Sequence, residues 1–502
     1  MNIRSFIAFG LTPVLCCFIL IGTDLDPSLS SETSTLAIAL LMAIWWITEA
    51  VPIAVTSMLP VALFPLFGIM SGNDVATTYF NQVIFLFMGG FIIALAMQKW
   101  NLHRRIALYI LSKTGISPFR ILLGFMLATA FLSMWISNTA TSMLMIPILL
   151  SIISSLEEWV EDSSIGKYSI GLLLGVAYSA SIGGMATLIG TPPNLSFKRI
   201  FEIYFPQAPE ISFGQWMLFA MPIAIVIFSL VLFLLYFMYR PKTKWKSMDS
   251  NLFFEKRRQL GRISFEESMV LIVFVLVALL WMTRSNITLG NFTIKGWASL
   301  FPNPKYINDG SIAICMTILL YVIPSRAGKG IQLMDWEATK DLPWNIILLF
   351  GGGFALASGI KESGLALWMG SQLEWVAGMH PMMVILMICL MMTFVTELTS
   401  NTATTEMILP VLAGLAVAID VNPLLFMIPA TLSGSMAFML PVATPPNAII
   451  FGTGRISMMQ MARTGIGLNL LGAVIITLLM YFWGSFVFDI DFDVMPTWAV
   501  FN

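Results

Sequence analysis

Apolar runs close to twenty residues long recur along this 502-residue chain, at 34–48, 82–98, 214–239, 264–283 and 462–488. As a helix, each can cross a hydrocarbon core of about 30 Å. Hydrocarbon offers backbone groups no water, so a spanning segment must satisfy them internally. Composition agrees: 58% of residues are hydrophobic and 11% charged, against roughly a quarter charged in soluble domains. The chain reads as an all-α polytopic membrane protein with about 11 membrane helices. Its net charge of −1 says little about partners.

Several function classes find no support. Cys16, Cys17, Cys315 and Cys389 sit in apolar runs without metal-ligand spacing, as small buried hydrophobes would. Only His103 and His380 could serve haem or redox chemistry, and they are far apart. No glycine-rich phosphate loop follows a strand, and nothing asks for a nucleic-acid partner. The N-terminal stretch MNIRSFIAFGLTPVLCCFILIG has one Arg before its apolar run. No small-x-small cleavage site follows, so a first membrane helix is expected rather than a signal peptide.

The chain repeats itself. LFMGGFIIALA (86–96) resembles LLFGGGFALAS (348–358), and SNTATSMLMIP (137–147) resembles SNTATTEMILP (400–410). Gly89 and Gly352 are 263 residues apart (352 − 89), as are Asn138 and Asn401 (401 − 138). A third pair follows, GTPPN at 190–194 and ATPPN at 443–447, offset by 253 (447 − 194). A longer acidic connection in the first half, SSLEEWVEDSSIGK (154–167), accounts for the difference. The amphipathic stretches 99–115 and 361–378 are expected to lie along the interface.

Lys and Arg favour the cytoplasmic side. Segment 239–262 carries eight basic residues against two acids and is placed inside. If each SNT segment turns back as a hairpin and each TPPN segment crosses, 20 of the 26 Lys and Arg fall in the cytoplasm. The N-terminus is then cytoplasmic and the C-terminus external. The two SNT hairpins enter from opposite faces, giving inverted-topology repeats with re-entrant hairpins and broken helices, an architecture of secondary transporters.

Hydroxyls and amides at membrane depth must be buried in protein or line a wet cavity. Pro192, Pro193, Pro445 and Pro446 lack N–H donors and break helices. Close helix packing would explain one SNTAT segment; two pairs of motifs in repeats point to a site. No Lys or Arg occurs in 121–166, 168–197 or 363–454. A site built from these segments offers oxygens and dipoles, the hard ligands of alkali cations, but no fixed positive charge. A bound dianion would need mobile cations, and sodium is the natural candidate. Helix N-termini supply only about half a charge each.

The duplicated SNT, each followed by a TPP-containing break, resembles the divalent anion/sodium symporter family, whose members carry dicarboxylates, citrate or sulfate. That resemblance covers nearly the whole chain and implies a homodimer working as an elevator. The scaffold would comprise 1–118, with an interfacial helix, and 263–378. The transport domain would comprise 119–240 and 379–490, with a cytoplasmic basic loop at 241–262 and an external tail at 491–502. One sodium site would use Ser133, Ser137, Asn138 and the carbonyl of Gly190; the other would use Thr396, Thr399, Asn401 and the carbonyl of Ala443. Substrate would meet Ser137, Asn138, Thr139, Ser400, Asn401 and Thr402, with Thr191, Thr444 and Pro445 nearby. Both motifs end in Thr, which in the family leans towards carboxylates. The expected function is sodium-coupled symport of C4-dicarboxylates or citrate-like anions across the plasma (inner) membrane.

Other readings stay in view. Some relatives exchange dicarboxylates without sodium, and Glu397 and Glu406 beside the second SNT would serve as proton carriers in a proton-coupled carrier. Glu49 is an intramembrane acid, expected to face protein or interface in the scaffold. An intramembrane hydrolase would need a base beside Ser137 or Ser400, and neither histidine lies in those segments. A channel would need a continuous pore, which opposed re-entrant hairpins do not suggest.

Overall fold

In a computed structural model, the described residues are 6–499 apart from 23–24, 26–29, 160–164, 242–251, 290–291, 329 and 493. Parts of the 154–167 connection, the basic loop and the C-terminal tail therefore lie outside the described residues. Nine helices among those described are long and apolar enough to cross a membrane, and shorter apolar helices such as Pro118–Ser133 and Pro381–Val395 supplement them. A two-stranded hairpin, β1 (Ile287–Leu289) with β2 (Phe292–Ile294), is the only sheet among the described residues.

The first half comprises α1 (Thr12–Gly22), α2 (Ser30–Thr48), α3 (Gln82–Lys99), α4 (Leu102–Thr114), α5 (Pro118–Ser133), α6 (Asn138–Trp159), α7 (Ile165–Met185), α8 (Pro192–Tyr204) and α9 (Phe213–Tyr239). The second comprises α10 (Phe265–Thr283), α11 (Asp309–Val322), α12 (Trp344–Glu362), α13 (Leu365–Ser371), α14 (Pro381–Val395), α15 (Asn401–Ala418), α16 (Leu424–Ser433), α17 (Pro445–Gly452) and α18 (Met458–Leu479). Helices α5 and α6 form one hairpin across the first SNT, and α14 and α15 form its counterpart. Helix pairs α7/α8 and α16/α17 are broken ahead of their TPPN segments.

Local chemistry sets these boundaries. Gly115 ends α4 at φ 96°, a conformation that suits glycine, and Ser117 then caps α5 with a proline at its start. Capping boxes open α10 at Ser264 and α18 at Ser457. Small residues let the helices approach. A Cβ on Gly183 would lie 2.2 Å from the Ala130 carbonyl oxygen, so α5 and α7 touch backbone to backbone. The glycine shared by the two GG motifs does the same: a Cβ on Gly89 would lie 2.6 Å from the Ala313 Cβ. Helix α7 is buried from Tyr168 to Met185, which places the SNT and TPPN segments at the heart of the protein. Cys16 and Cys389 are buried as expected; Cys17 and Cys315 are exposed on helices whose outer faces are apolar.

Candidate functional site

The two hairpin tips and the two helix breaks meet around a cavity of about 740 Å³. Ser137, Asn138, Thr139, Gly190 and Thr191 line it from the first half. Thr399, Ser400, Asn401, Thr402, Ala443, Thr444 and Pro445 line it from the second. Of the residues expected to bind sodium or substrate, only Ser133 and Thr396 stand behind the wall, both fully buried.

Four helices begin at this cavity: α6 at Asn138, α8 at Pro192, α15 at Asn401 and α17 at Pro445. Their ends differ. Prolines fill the first two positions of α8 and α17, which removes two of the four amides a helix start normally presents. The hairpin helices α6 and α15 keep theirs. Backbone amides of Asn138, Thr139, Asn401 and Thr402 have no protein partner among the described residues. They supply hydrogen-bond donors to an anion together with the positive end of the helix dipole. The paired prolines therefore make the TPPN helix starts weaker amide donors than the SNT ones.

Oxygens gather one layer deeper. Ser133 Oγ donates to Asn138 Oδ1 at 2.5 Å. A Cβ on Gly184 would fall 2.7 Å from Asn138 Oδ1 and 3.0 Å from the Gly190 carbonyl oxygen. A glycine thus leaves space beside the Asn138 Oδ1 and Gly190 carbonyl oxygens. The second half copies the arrangement with different residues: Thr396 Oγ1 lies 2.5 Å from Asn401 Oδ1 and 3.0 Å from the Gly434 carbonyl oxygen. Gly434 was not singled out from sequence, because its carbonyl is aimed by the end of α16 and no side chain marks it. Thr399 Oγ1 is engaged by Thr404 Oγ1 at 2.5 Å and the Val395 carbonyl at 2.8 Å.

Each break is held by the asparagine of its TPPN. Asn194 Nδ2 donates to the carbonyls of Gly184, Met185 and Thr187, and Asn447 Nδ2 to those of Ala437 and Leu440. Thr187 Oγ1 ties the first break to the Met134 carbonyl at 2.6 Å. The second has a carboxylate instead. Glu397 accepts from the amides of Phe438, Met439 and Leu440 at 2.7 to 2.9 Å and from Asn469 Nδ2 at 2.7 Å. Glu406 accepts from Ser196 Oγ at 2.8 Å, and its other oxygen has no hydrogen-bond partner. Neither acid lines the cavity.

Further lining comes from Trp46 and Asn345, from Phe87, Phe91 and Leu349 within the repeated GG spans, and from Trp135 in the turn of the first hairpin. Glu49 also belongs to the lining, so this acid faces the cavity rather than only protein or interface. It ends α2 at φ 48°, a left-handed conformation uncommon for a residue with a side chain. No Lys, Arg or His lines the cavity, and no cluster of metal-ligating His, Cys, Asp or Glu occurs among the described residues.

The family described as "Sodium:sulfate symporter transmembrane region" matches residues 11–490. The chain belongs to this symporter family. Among its relatives is the sodium-dependent dicarboxylate transporter SdcS of Staphylococcus saprophyticus, 45% identical over 496 residues, covering 98% of this chain and 93% of that one. SdcS of Staphylococcus aureus is 47% identical over 464 residues, covering 91% and 87%. Solved structures share the fold at low identity. Neisseria gonorrhoeae MtrF superposes with a TM-score of 0.56 at 13% identity, covering 84% of each chain. The Alcanivorax borkumensis YdaH transporter gives 0.57 at 12%, covering 89% of this symporter and 98% of YdaH.

Proposed function

We propose that this symporter moves C4-dicarboxylates such as succinate, malate or fumarate together with sodium. The observation that carries the reading is a cavity where four helices begin and no cationic side chain is present. A dianion there meets amides, hydroxyls and fractional helix charges, which do not balance two full charges at low dielectric. Co-bound sodium supplies the balance, so uptake without sodium is disfavoured by the cost of burying an unneutralised anion. Close relatives named sodium-dependent dicarboxylate transporters support both the ion and the substrate class.

In this reading Ser133, Ser137, Asn138 and the Gly190 carbonyl hold one sodium. Thr396, Asn401, Thr399 and the Ala443 carbonyl hold the other, with the Gly434 carbonyl added by its 3.0 Å approach to Thr396. Substrate carboxylates take the free amides and side chains of the two SNT starts, Ser137 to Thr139 and Ser400 to Thr402. Thr191, Thr444 and Pro445 close the sides. Segments 119–240 and 379–490 move as one unit against a scaffold of 1–118 and 263–378, within a homodimer in the plasma (inner) membrane. With the N-terminus cytoplasmic and the C-terminus external, Trp46, Glu49 and Asn345 fall at cytoplasmic helix ends, and the cavity opens inward.

The test is succinate uptake into proteoliposomes with and without an inward sodium gradient, followed by competition from sulfate and citrate. Uptake that ignores the gradient rejects coupling. Sulfate outcompeting succinate assigns the site to the inorganic anion instead.

A further inference from the structure

The scaffold and the mobile unit meet over long apolar helix faces, and ion pairs are scarce there. Ten ion pairs form among the described residues. Eight join residues of the same unit; only Lys198–Asp309 and Arg284–Glu210 cross between units. Both crossings belong to one cluster at the end of α8 remote from the cavity. At the opposite end, Lys99–Asp335 and Arg105–Glu267 stay within the scaffold, and Arg455–Glu157 stays within the mobile unit.

The cluster is buried and tightly bonded. Side chains of Lys198, Arg284 and Asp309 are 4%, 3% and 1% exposed. Arg284 donates through Nε to Asp309 Oδ1 at 2.6 Å and through Nη2 to Glu210 Oε1 at 2.5 Å. Lys198 Nζ lies 3.3 Å from Glu210 Oε1 and 3.5 Å from Asp309 Oδ2. The Phe213 amide of the mobile unit also donates to Asp309 Oδ2 at 3.2 Å. Nearby, Gln82 of the scaffold donates to Glu202 of the mobile unit at 3.0 Å.

The partition of charge suits something that opens and closes. Lys198 and Glu210 travel together, as do Arg284 and Asp309, so each unit contributes one positive and one negative group. If the units part, Lys198 keeps Glu210 and Arg284 keeps Asp309. No charge is stranded, whereas removing one member of a buried pair leaves its partner uncompensated. Parting also returns these groups to water, which offsets part of the lost attraction. A contact of this kind selects one geometry without fixing it permanently.

We propose that Lys198, Glu210, Arg284 and Asp309 form an electrostatic latch that holds the mobile unit in the facing state seen here, and so sets what fraction of carriers stands ready on the opposite side. The latch rests on the reading that the two units move relative to one another.

The test uses the full chain in lipid nanodiscs, with its four cysteines replaced by serine. Spin labels are placed at Lys113→Cys on α4 and Glu158→Cys on α6, both exposed and one on each unit. Double electron–electron resonance then gives the weights of the two label distances. Glu210→Gln changes a side chain that is 41% exposed, so folding is retained, and it should shift the population ratio away from the present state by roughly tenfold. Asp309→Asn should shift it in the same direction. Glu157→Gln, which breaks a pair within the mobile unit, should leave the ratio unchanged. Wild-type ratios in Glu210→Gln and Asp309→Asn, or an equal shift in Glu157→Gln, overturn the latch. A single distance in every variant, with and without sodium and succinate, overturns the movement itself and the latch with it.

Discussion

Asn194 and Asn447, the last residues of the two TPPN segments, make the same clamp in the two halves of the protein. Asn194 Nδ2 reaches the carbonyls of Gly184 and Thr187; Asn447 Nδ2 reaches those of Ala437 and Leu440. Each second-half acceptor lies 253 residues beyond its counterpart, the offset of the motif itself. Both asparagines are buried. They stand behind the proposed sodium ligands and aim the carbonyls of each break. Replacing either with Ala should weaken apparent sodium affinity about 10- to 100-fold, the usual cost of losing a partner that orients a ligand. The measurement is the sodium concentration for half-maximal succinate uptake. An unchanged sodium dependence in both variants would detach the clamps from ion binding.

Gly184 tests the convergence of oxygens directly. Gly184→Ala would place a methyl 2.7 Å from Asn138 Oδ1 and 3.0 Å from the Gly190 carbonyl oxygen, where both neighbours are fixed. Gly467→Ala on α18 meets nothing within 4 Å and serves as the control. Sodium-driven uptake should fall at least tenfold in the first variant, equivalent to about 1.4 kcal/mol, and stay near wild type in the second. Similar losses in both would mean that helix flexibility, not the oxygen cradle, matters at Gly184.

Asn138→Ala and Asn401→Ala each remove the side-chain oxygen that meets Ser133 or Thr396 and an edge of the cavity. Transport should be lost in both while the protein still elutes as a folded species on size exclusion. Binding isotherms separate the causes: sodium binding measured without succinate should weaken in each single variant, because each asparagine serves its own ion. Full activity in either variant would remove that residue from the site.

The repeats made much of this legible. Hairpin tips and breaks declared themselves because glycine, proline and the SNT hydroxyls are costly in hydrocarbon unless a local structure demands them. The wall facing them left no such mark. Trp46 looks like an ordinary apolar helix residue, and Phe87 and Phe91, though inside a repeated GG span, carry no polar group that would mark them as cavity lining. Gly434 offers a carbonyl, which every residue has. Lys198 sits one residue past a cation-free stretch in the sequence, yet its partner across the unit boundary, Asp309, lies more than a hundred residues away, beyond the reach of any local pattern.

Glu210 gives the latch a pH signature, and the sign follows from its surroundings. Burial alone would raise its carboxyl, but the Lys198 ammonium and the Arg284 guanidinium outweigh that and hold it below the usual carboxylate range. With the units parted, the group returns towards an ordinary value of about 4.3. A carboxyl depressed in one state stabilises that state fully above its ordinary value and loses the contribution as pH falls through the depressed one. The population ratio without succinate should therefore be the same at pH 8 and pH 6 on account of this group. The difference between wild type and Glu210→Gln should therefore persist down to about pH 4 and shrink only as the pH falls further, through the depressed value. The resonance experiment at pH 8, 6 and 4 checks this. A ratio that changes between pH 8 and 6 equally in wild type and Glu210→Gln would assign that control to a group outside the cluster.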